Sequence, residues 1–243
     1  MRCERVHKDM KRARRGLGCV LIVALCVPAF ASQALAPAAS GAVLSGRVSL
    51  VLPPKVKVDP GGSVVWIPGV SVPAPAALSN SVTSRGKRFD PRILAVTAGT
   101  RVSFPNVDAI YHNAFSLTPG NAFDMGLYRK GASRDVVMKN PGIVHVYCNI
   151  HPEMAASVVV VEGNAFAVVQ RDGSFRIAGI PPGRREVHIW SDVAGEQVVT
   201  MNFAPGETAE WNPTLDASRY QRAAHVNKHG KAYPKAKNDA DRY

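Results

Sequence analysis

Residues 142–161 read GIVHVYCNIHPEMAASVVVV. Val144, Val146 and Cys148 alternate with His145 and Tyr147, which places the first three on one face of a strand from Ile143 to Cys148. Pro141-Gly142 turns the chain into that strand, and Ala156 to Val161 is a second apolar strand leaving the loop. Period-two alternation on one side and a short apolar run on the other predict paired strands rather than helices. The loop between them, Asn149 to Glu153, is short, and Pro152 restricts its freedom.

That loop carries chemistry. Cys148, His151 and Met154 stand three residues apart, and His112 stands upstream in Asp108-Ala109-Ile110-Tyr111-His112-Asn113. Singly, each of these residues is ordinary, since an internal methionine is usually core filler. Together they supply two imidazole nitrogens, a thiolate and a weak thioether, the donor set of a blue-copper electron-transfer centre. Cu(I) favours soft sulfur and Cu(II) favours nitrogen, so a mixed set accommodates both oxidation states with little rearrangement. The expected metal ligands are therefore His112, Cys148, His151 and Met154, around one copper of type I. Asn113 is placed to hydrogen-bond across to the Cys148 loop and stiffen both ligand segments. His145 points away from Cys148 by strand alternation and is not a ligand. His188 reads as a packed or edge histidine, and His225 and His229 as incidental tail residues. Structural zinc prefers several Cys or His and rarely Met. A Cys148–His151 hydrolase dyad lacks an oxyanion-binding loop and a third orienting residue. No catalytic set is expected.

Outward from the loop, further strands are expected at Ser45–Leu52, Ser63–Ile67, Ile93–Val96, Arg101–Phe104, Phe115–Leu117 and Asp135–Met138. Residues 118–134 read as a long polar, Gly-containing stretch. Strands at this spacing with turn signals indicate an all-β sandwich. Past Gly163, strands at Ala165–Val169, Ser174–Ile177, Arg184–Trp190, Gln197–Phe203 and Thr208–Trp211 form a small second unit, with Arg171-Asp172-Gly173 as a hairpin turn. About fifty residues is marginal for an independent core, so this unit is expected to dock on the first.

The two ends of the chain are basic. Residues 1–36 hold seven Lys/Arg against two Asp/Glu, and residues 217–243 hold the same, so the ends carry most of the formal net charge of +12. The first 36 residues have a basic start, an apolar run from Cys19 to Ala31 and small-residue sites at Ala29-Phe30-Ala31 and Ala34-Leu35-Ala36, the order of a secretory signal peptide. Export to the periplasm is the expectation. Three of the four cysteines, Cys3, Cys19 and Cys26, lie in that leader, which leaves Cys148 without an intramolecular partner. A single thiol in an oxidising compartment implies an intermolecular disulfide, a reactive thiol or a metal bond. Residues 217–243 lack apolar periodicity and are expected to be a disordered basic tail, able to contact acidic partners or a membrane surface. No aromatic interleaving argues for nucleic-acid binding. The expected organisation is a signal peptide (1–36), an N-terminal β segment and linker (37–84), the ligand-bearing domain (85–162), a small β-module (163–216) and the tail (217–243).

Residues 88–162 resemble the cupredoxins, on Phe89-Asp90-Pro91, Val102-Ser103-Phe104-Pro105-Asn106, His112-Asn113, Pro141-Gly142-Ile143 and Cys148 to Met154. The Cys-x-x-His-x-x-Met spacing looks most like the amicyanins, and the composite chain resembles methylamine-utilisation proteins. The run from Asp172 to Trp190 resembles a carboxypeptidase-regulatory or transthyretin-like module. The resemblance implies a Greek-key β-sandwich, a copper role for His112, Cys148, His151 and Met154, and a His151 ring that reaches the surface as an electron exit. It implies a periplasmic carrier of single electrons between redox proteins such as a dehydrogenase or a c-type cytochrome. A copper carrier or sensor, and a non-catalytic cell-envelope binding module, are the alternative readings.

Overall fold

The structure is a computed structural model and describes residues 40–73, 79–220 and 225–233. The leader read over residues 1–36 lies outside the described residues. The described residues form strands and turns without a helix, as the period-two patterning requires. In chain order the strands are β1 (Ala42–Arg47), β2 (Ser49–Val51), β3 (Val64–Trp66), β4 (Thr83–Ser84), β5 (Phe89–Asp90) and β6 (Ile93–Thr97). Then come β7 (Arg101–Pro105), β8 (Phe115–Ser116), β9 (Phe123–Asp124), β10 (Ser133–Val137), β11 (Gly142–Tyr147) and β12 (Ala155–Val161). The chain ends with β13 (Phe166–Val168), β14 (Ser174–Ile180), β15 (Gly183–Ser191), β16 (Gly195–Phe203), β17 (Thr208–Glu210) and β18 (Thr214–Asp216).

The ligand-bearing half is a β-sandwich. One sheet runs β6-β12-β11-β8-β9, and β7 pairs with β10 opposite it. β6 and β12 pair in parallel although far apart in sequence, so a long connection crosses the sandwich between them. Val102 and Phe104 of β7, with Met138, pack against Val144 and Val146 of β11 and Val158 and Val160 of β12 in one buried cluster. Complete burial of each such aliphatic side chain is worth about 1.5–3 kcal/mol.

The β11–β12 hairpin pairs Val144 with Val158 and ends at Tyr147↔Ala155. Residues 148–154 are therefore the hairpin loop itself, anchored at both ends by ladder pairing. β12 is buried on both faces from Ala156 to Val161, and apolar there except at Ser157. Val158 and Val160 face the sandwich interior. Val159 and Val161, with Ile93 and Ala95 of β6, pack instead on Val64 and Trp190.

The second half differs from the sequence reading in composition. Residues 163–216 do not form a module by themselves. β1 lies between β14 and β17, β3 pairs with both β13 and β15, β16 adds to β15, and β2 pairs with β18. Leu44, Val65 and Ile67 share a core with Phe175, Ile177, Val187, Ile189 and Phe203. Strands from residues 42–66 thus complete a core that about fifty residues could not bury alone. The contact is close: a Cβ at Gly46 would run into the Trp211 carbonyl oxygen.

Two local expectations also change. The polar stretch 118–134 contains β9, which pairs with β8 through Phe115↔Asp124 and Ser116↔Phe123. Residues 225–233, expected to be disordered, have a defined conformation against the ligand loop, including a turn closed by Gly230 N–H donating to the Asn227 carbonyl. Period and charge arguments do not see contacts made by aromatic and amide groups scattered in a basic run.

Candidate metal centre

His112 leaves the region between β7 and β8 and is held by a two-way backbone bridge. Its N–H donates to the Tyr128 carbonyl at 3.2 Å, and the Tyr128 N–H donates back at 2.8 Å. Cys148 follows the last residue of β11, and its side chain faces the interior with Val144 and Val146, as alternation requires. The loop then folds back on itself. Met154 N–H donates to the His151 carbonyl at 3.0 Å, and Cys148 N–H donates to the Met154 carbonyl at 3.2 Å. His112, Cys148, His151 and Met154 are all 0% exposed.

Three donor atoms converge. His112 Nδ1 lies 3.1 Å from His151 Nδ1, and Cys148 Sγ lies 3.6 Å from His151 Nδ1. All three ligand atoms lie within 4.8 Å of one another. Nitrogen and thiolate ligands sit about 2.0–2.3 Å from a first-row metal ion, which separates neighbouring donors by roughly 3.1–3.7 Å. The two short separations fit one ion. Met154 shares the buried cluster with Cys148, so the fourth expected ligand is brought to the same interior.

The surroundings set the ligands' chemistry. Asp108 Oδ2 lies 2.8 Å from His112 Nε2. An ionised carboxylate only accepts, so Nε2 carries the proton and Nδ1 keeps its lone pair for a cation. Partial burial works against the Asp108 carboxylate, but the backbone N–H groups of Lys87 and Gly86 and the His112 ring outweigh it, and its pKa is held below the usual range. Two imidazole nitrogens facing each other at 3.1 Å require a shared proton or a cation between them, because opposed lone pairs repel. Burial pushes the Cys148 thiol up, against backbone N–H groups of Asn113, Ile150 and His151 that favour its anion. Burial thus favours the protonated thiol, and a metal ion bound there would displace its proton.

Asn113 performs the role expected of it. Its Oδ1 accepts from Asn149 N–H at 2.5 Å, and its Nδ2 donates to Asp124 Oδ1 at 3.2 Å. His145 points away from Cys148 and lies 3.2 Å, through Nδ1, from Ser157 Oγ. His188 stacks on Trp66 and lies 2.7 Å, through Nδ1, from Glu196 Oε1. One expectation fails: the His151 ring does not reach the surface, for it is fully buried. His225, read as incidental, stacks on Tyr147 with ring centroids 4.0 Å apart. Asp108 belongs to the Asp-x-x-x-His-Asn spacing but carries no expected role there, and Tyr128 and Tyr233 are not expected at the site from the sequence. The spacing Asp108-x-x-x-His112 is the one signal in the sequence that marks any of them.

Two imidazoles and a cysteine sulfur, buried in a β-sandwich with a carboxylate on one ring, form a candidate metal-binding group whose donor set suits copper. The chain matches no protein-family profile and no curated protein. Solved structures match it in part. A methionine-to-alanine mutant of amicyanin in its Cu(I) form is 23% identical, over 40% of this chain and 97% of amicyanin, with a TM-score of 0.32. The oxidised state of a proline-to-alanine mutant of amicyanin is 24% identical over the same shares, also at 0.32. A copper-containing nitrite reductase from Thermus scotoductus SA-01 is 25% identical, over 47% of this chain and 28% of the reductase, at 0.33.

Proposed function

We propose that this protein is an exported type I copper protein that carries single electrons between redox partners and has no substrate of its own. The observation that carries the reading is the convergence of His112 Nδ1, His151 Nδ1 and Cys148 Sγ in a fully buried site. A copper ion held there would supply one-electron redox chemistry. His112 and His151 would bind it through Nδ1, Cys148 through its thiolate, and Met154 through its thioether at longer range. Asp108 fixes the tautomer of His112, and the Asn113–Asn149 bond keeps the two ligand segments in register. The backbone bonds that hold His112 and close the Cys148–Met154 loop would limit rearrangement on a change of oxidation state. Periplasmic localisation follows from the leader. Partners would be redox proteins such as a dehydrogenase or a c-type cytochrome, bound weakly through a small surface.

Full burial of His151 favours a second reading, a copper carrier or sensor, because no ligand ring offers an electron exit at the surface. Addition of Cu(II) to the purified protein tests the metal assignment. The expected result is an intense thiolate-to-copper band in the visible, lost in Cys148→Ala and shifted in Met154→Leu. A colourless protein rejects the site. Electron self-exchange and copper loss then separate the two readings: rapid exchange with firm retention supports the shuttle, and slow exchange with ready release supports the carrier.

A further inference from the structure

Residues 225–233 touch the ligand loop at several points. Tyr233 OH donates to the Cys148 carbonyl at 2.7 Å. The His225 ring stacks on Tyr147, the residue before Cys148, with an interplanar angle of 17°. His225 also meets Tyr233, edge to face and through a 3.3 Å contact between Nδ1 and the hydroxyl.

Lys228 closes a circuit. Its backbone N–H donates to Asn149 Oδ1 at 3.0 Å, and its ammonium donates to Asp124 Oδ2 at 2.7 Å. Asp124 Oδ1 accepts from Asn113, and Asn113 Oδ1 accepts from Asn149 N–H. The C-terminal segment is thus joined to both ligand-bearing stretches, the one with His112-Asn113 and the one with Cys148-Asn149. The Lys228–Asp124 pair is partly exposed and worth little alone. The hydroxyl bond and the ring stack are the stronger holds, because each is partly shielded from water.

We propose that residues 225–233 form a strap that staples the two ligand segments together, with Tyr233 and His225 as its positioning residues. The strap restrains the local opening that would expose the Cys148 thiol in the metal-free protein. In the copper-loaded protein, and there resting on the function proposed above, it slows loss of the ion.

The test uses the full chain without metal. Alkylation of Cys148 by iodoacetamide is followed by mass spectrometry of its peptide, so that the leader cysteines do not interfere. One net hydrogen bond or one ring contact corresponds to about a fivefold change in an opening equilibrium. Tyr233→Phe and His225→Ala should each raise the alkylation rate about fivefold, and the double variant more than tenfold. His225→Phe, which keeps the stack, should stay near the parent rate. His229→Ala, at an exposed position of the same segment, should not change it. Copper loss to an excess of chelator should rise in the same order across the set. A double variant that alkylates at the parent rate overturns the strap. A parent protein that stays colourless with Cu(II) overturns the copper reading and leaves the alkylation result to judge the strap on its own.

Discussion

His112 Nδ1 and His151 Nδ1 stand 3.1 Å apart although 39 residues separate them in the chain. Neither strand pairing nor loop closure alone produces that contact. The backbone bridge to Tyr128 delivers one ring, and the hairpin loop closed by the Met154 and Cys148 amides delivers the other.

Asp108→Asn should weaken copper binding by about 10–100-fold, the usual cost of removing a partner that orients a ligating histidine. The amide can donate to Nε2 and so stabilise the wrong tautomer of His112. Competition against a chelator of known affinity measures the loss. Circular dichroism should show the fold unchanged.

Cys148→Ser keeps the shape of the loop and removes the soft anion. The visible band should vanish and Cu(II) affinity should drop by more than in Asp108→Asn. The protein should remain folded, because the thiol's packing contribution is small and its site is enclosed by Val144, Val146 and Met154.

Asn113→Ala leaves the Asn149 amide and the Asp124 carboxylate without their partner. A lost bond of this kind costs about 1–3 kcal/mol. Urea unfolding of the metal-free protein should show that decrease, and the copper-loaded variant should display a broadened or shifted band as the loop loosens.

His145 stands at an exposed position of β11, yet partial desolvation beside Ser157 and Trp190 lowers its pKa below the ordinary histidine value. The unfolded chain therefore binds this proton more readily than the folded one. The contribution to stability is complete above the ordinary pKa of about 6.5 and is lost as pH falls through it. Urea midpoints of the metal-free protein should fall between pH 7.5 and pH 5.5. His145→Gln should make that fall shallower, and an identical slope in the two proteins would remove His145 as its source.

Gly46→Ala should destabilise the second core by about 3 kcal/mol, since its Cβ meets the rigid Trp211 carbonyl rather than a flexible side chain. Thermal unfolding checks the magnitude. The visible spectrum of the copper-loaded variant should not move, because Gly46 lies in β1, outside the sandwich that holds the ligands.

Much of this molecule is local and therefore legible in the sequence. The alternation Val144-His145-Val146-Tyr147-Cys148 sets which side chains enter the core, because successive residues of a strand face opposite ways. The same rule excludes His145 as a ligand. Three-residue spacing on a proline-bearing hairpin loop brings Cys148, His151 and Met154 to one interior, and the side-chain amide of Asn113 was the natural bridge to that loop. Tertiary structure decided what depends on contacts between distant segments. β1, β2 and β3 complete the core of residues 163–216 because neither piece buries enough apolar surface alone. His151 is buried rather than exposed, Asp108 becomes the partner of His112, and a basic run folds against the Cys148 loop through Tyr233, His225 and Lys228. These are pairings of single groups across long stretches of chain, and a one-dimensional pattern carries no term for them until the backbone has closed on itself.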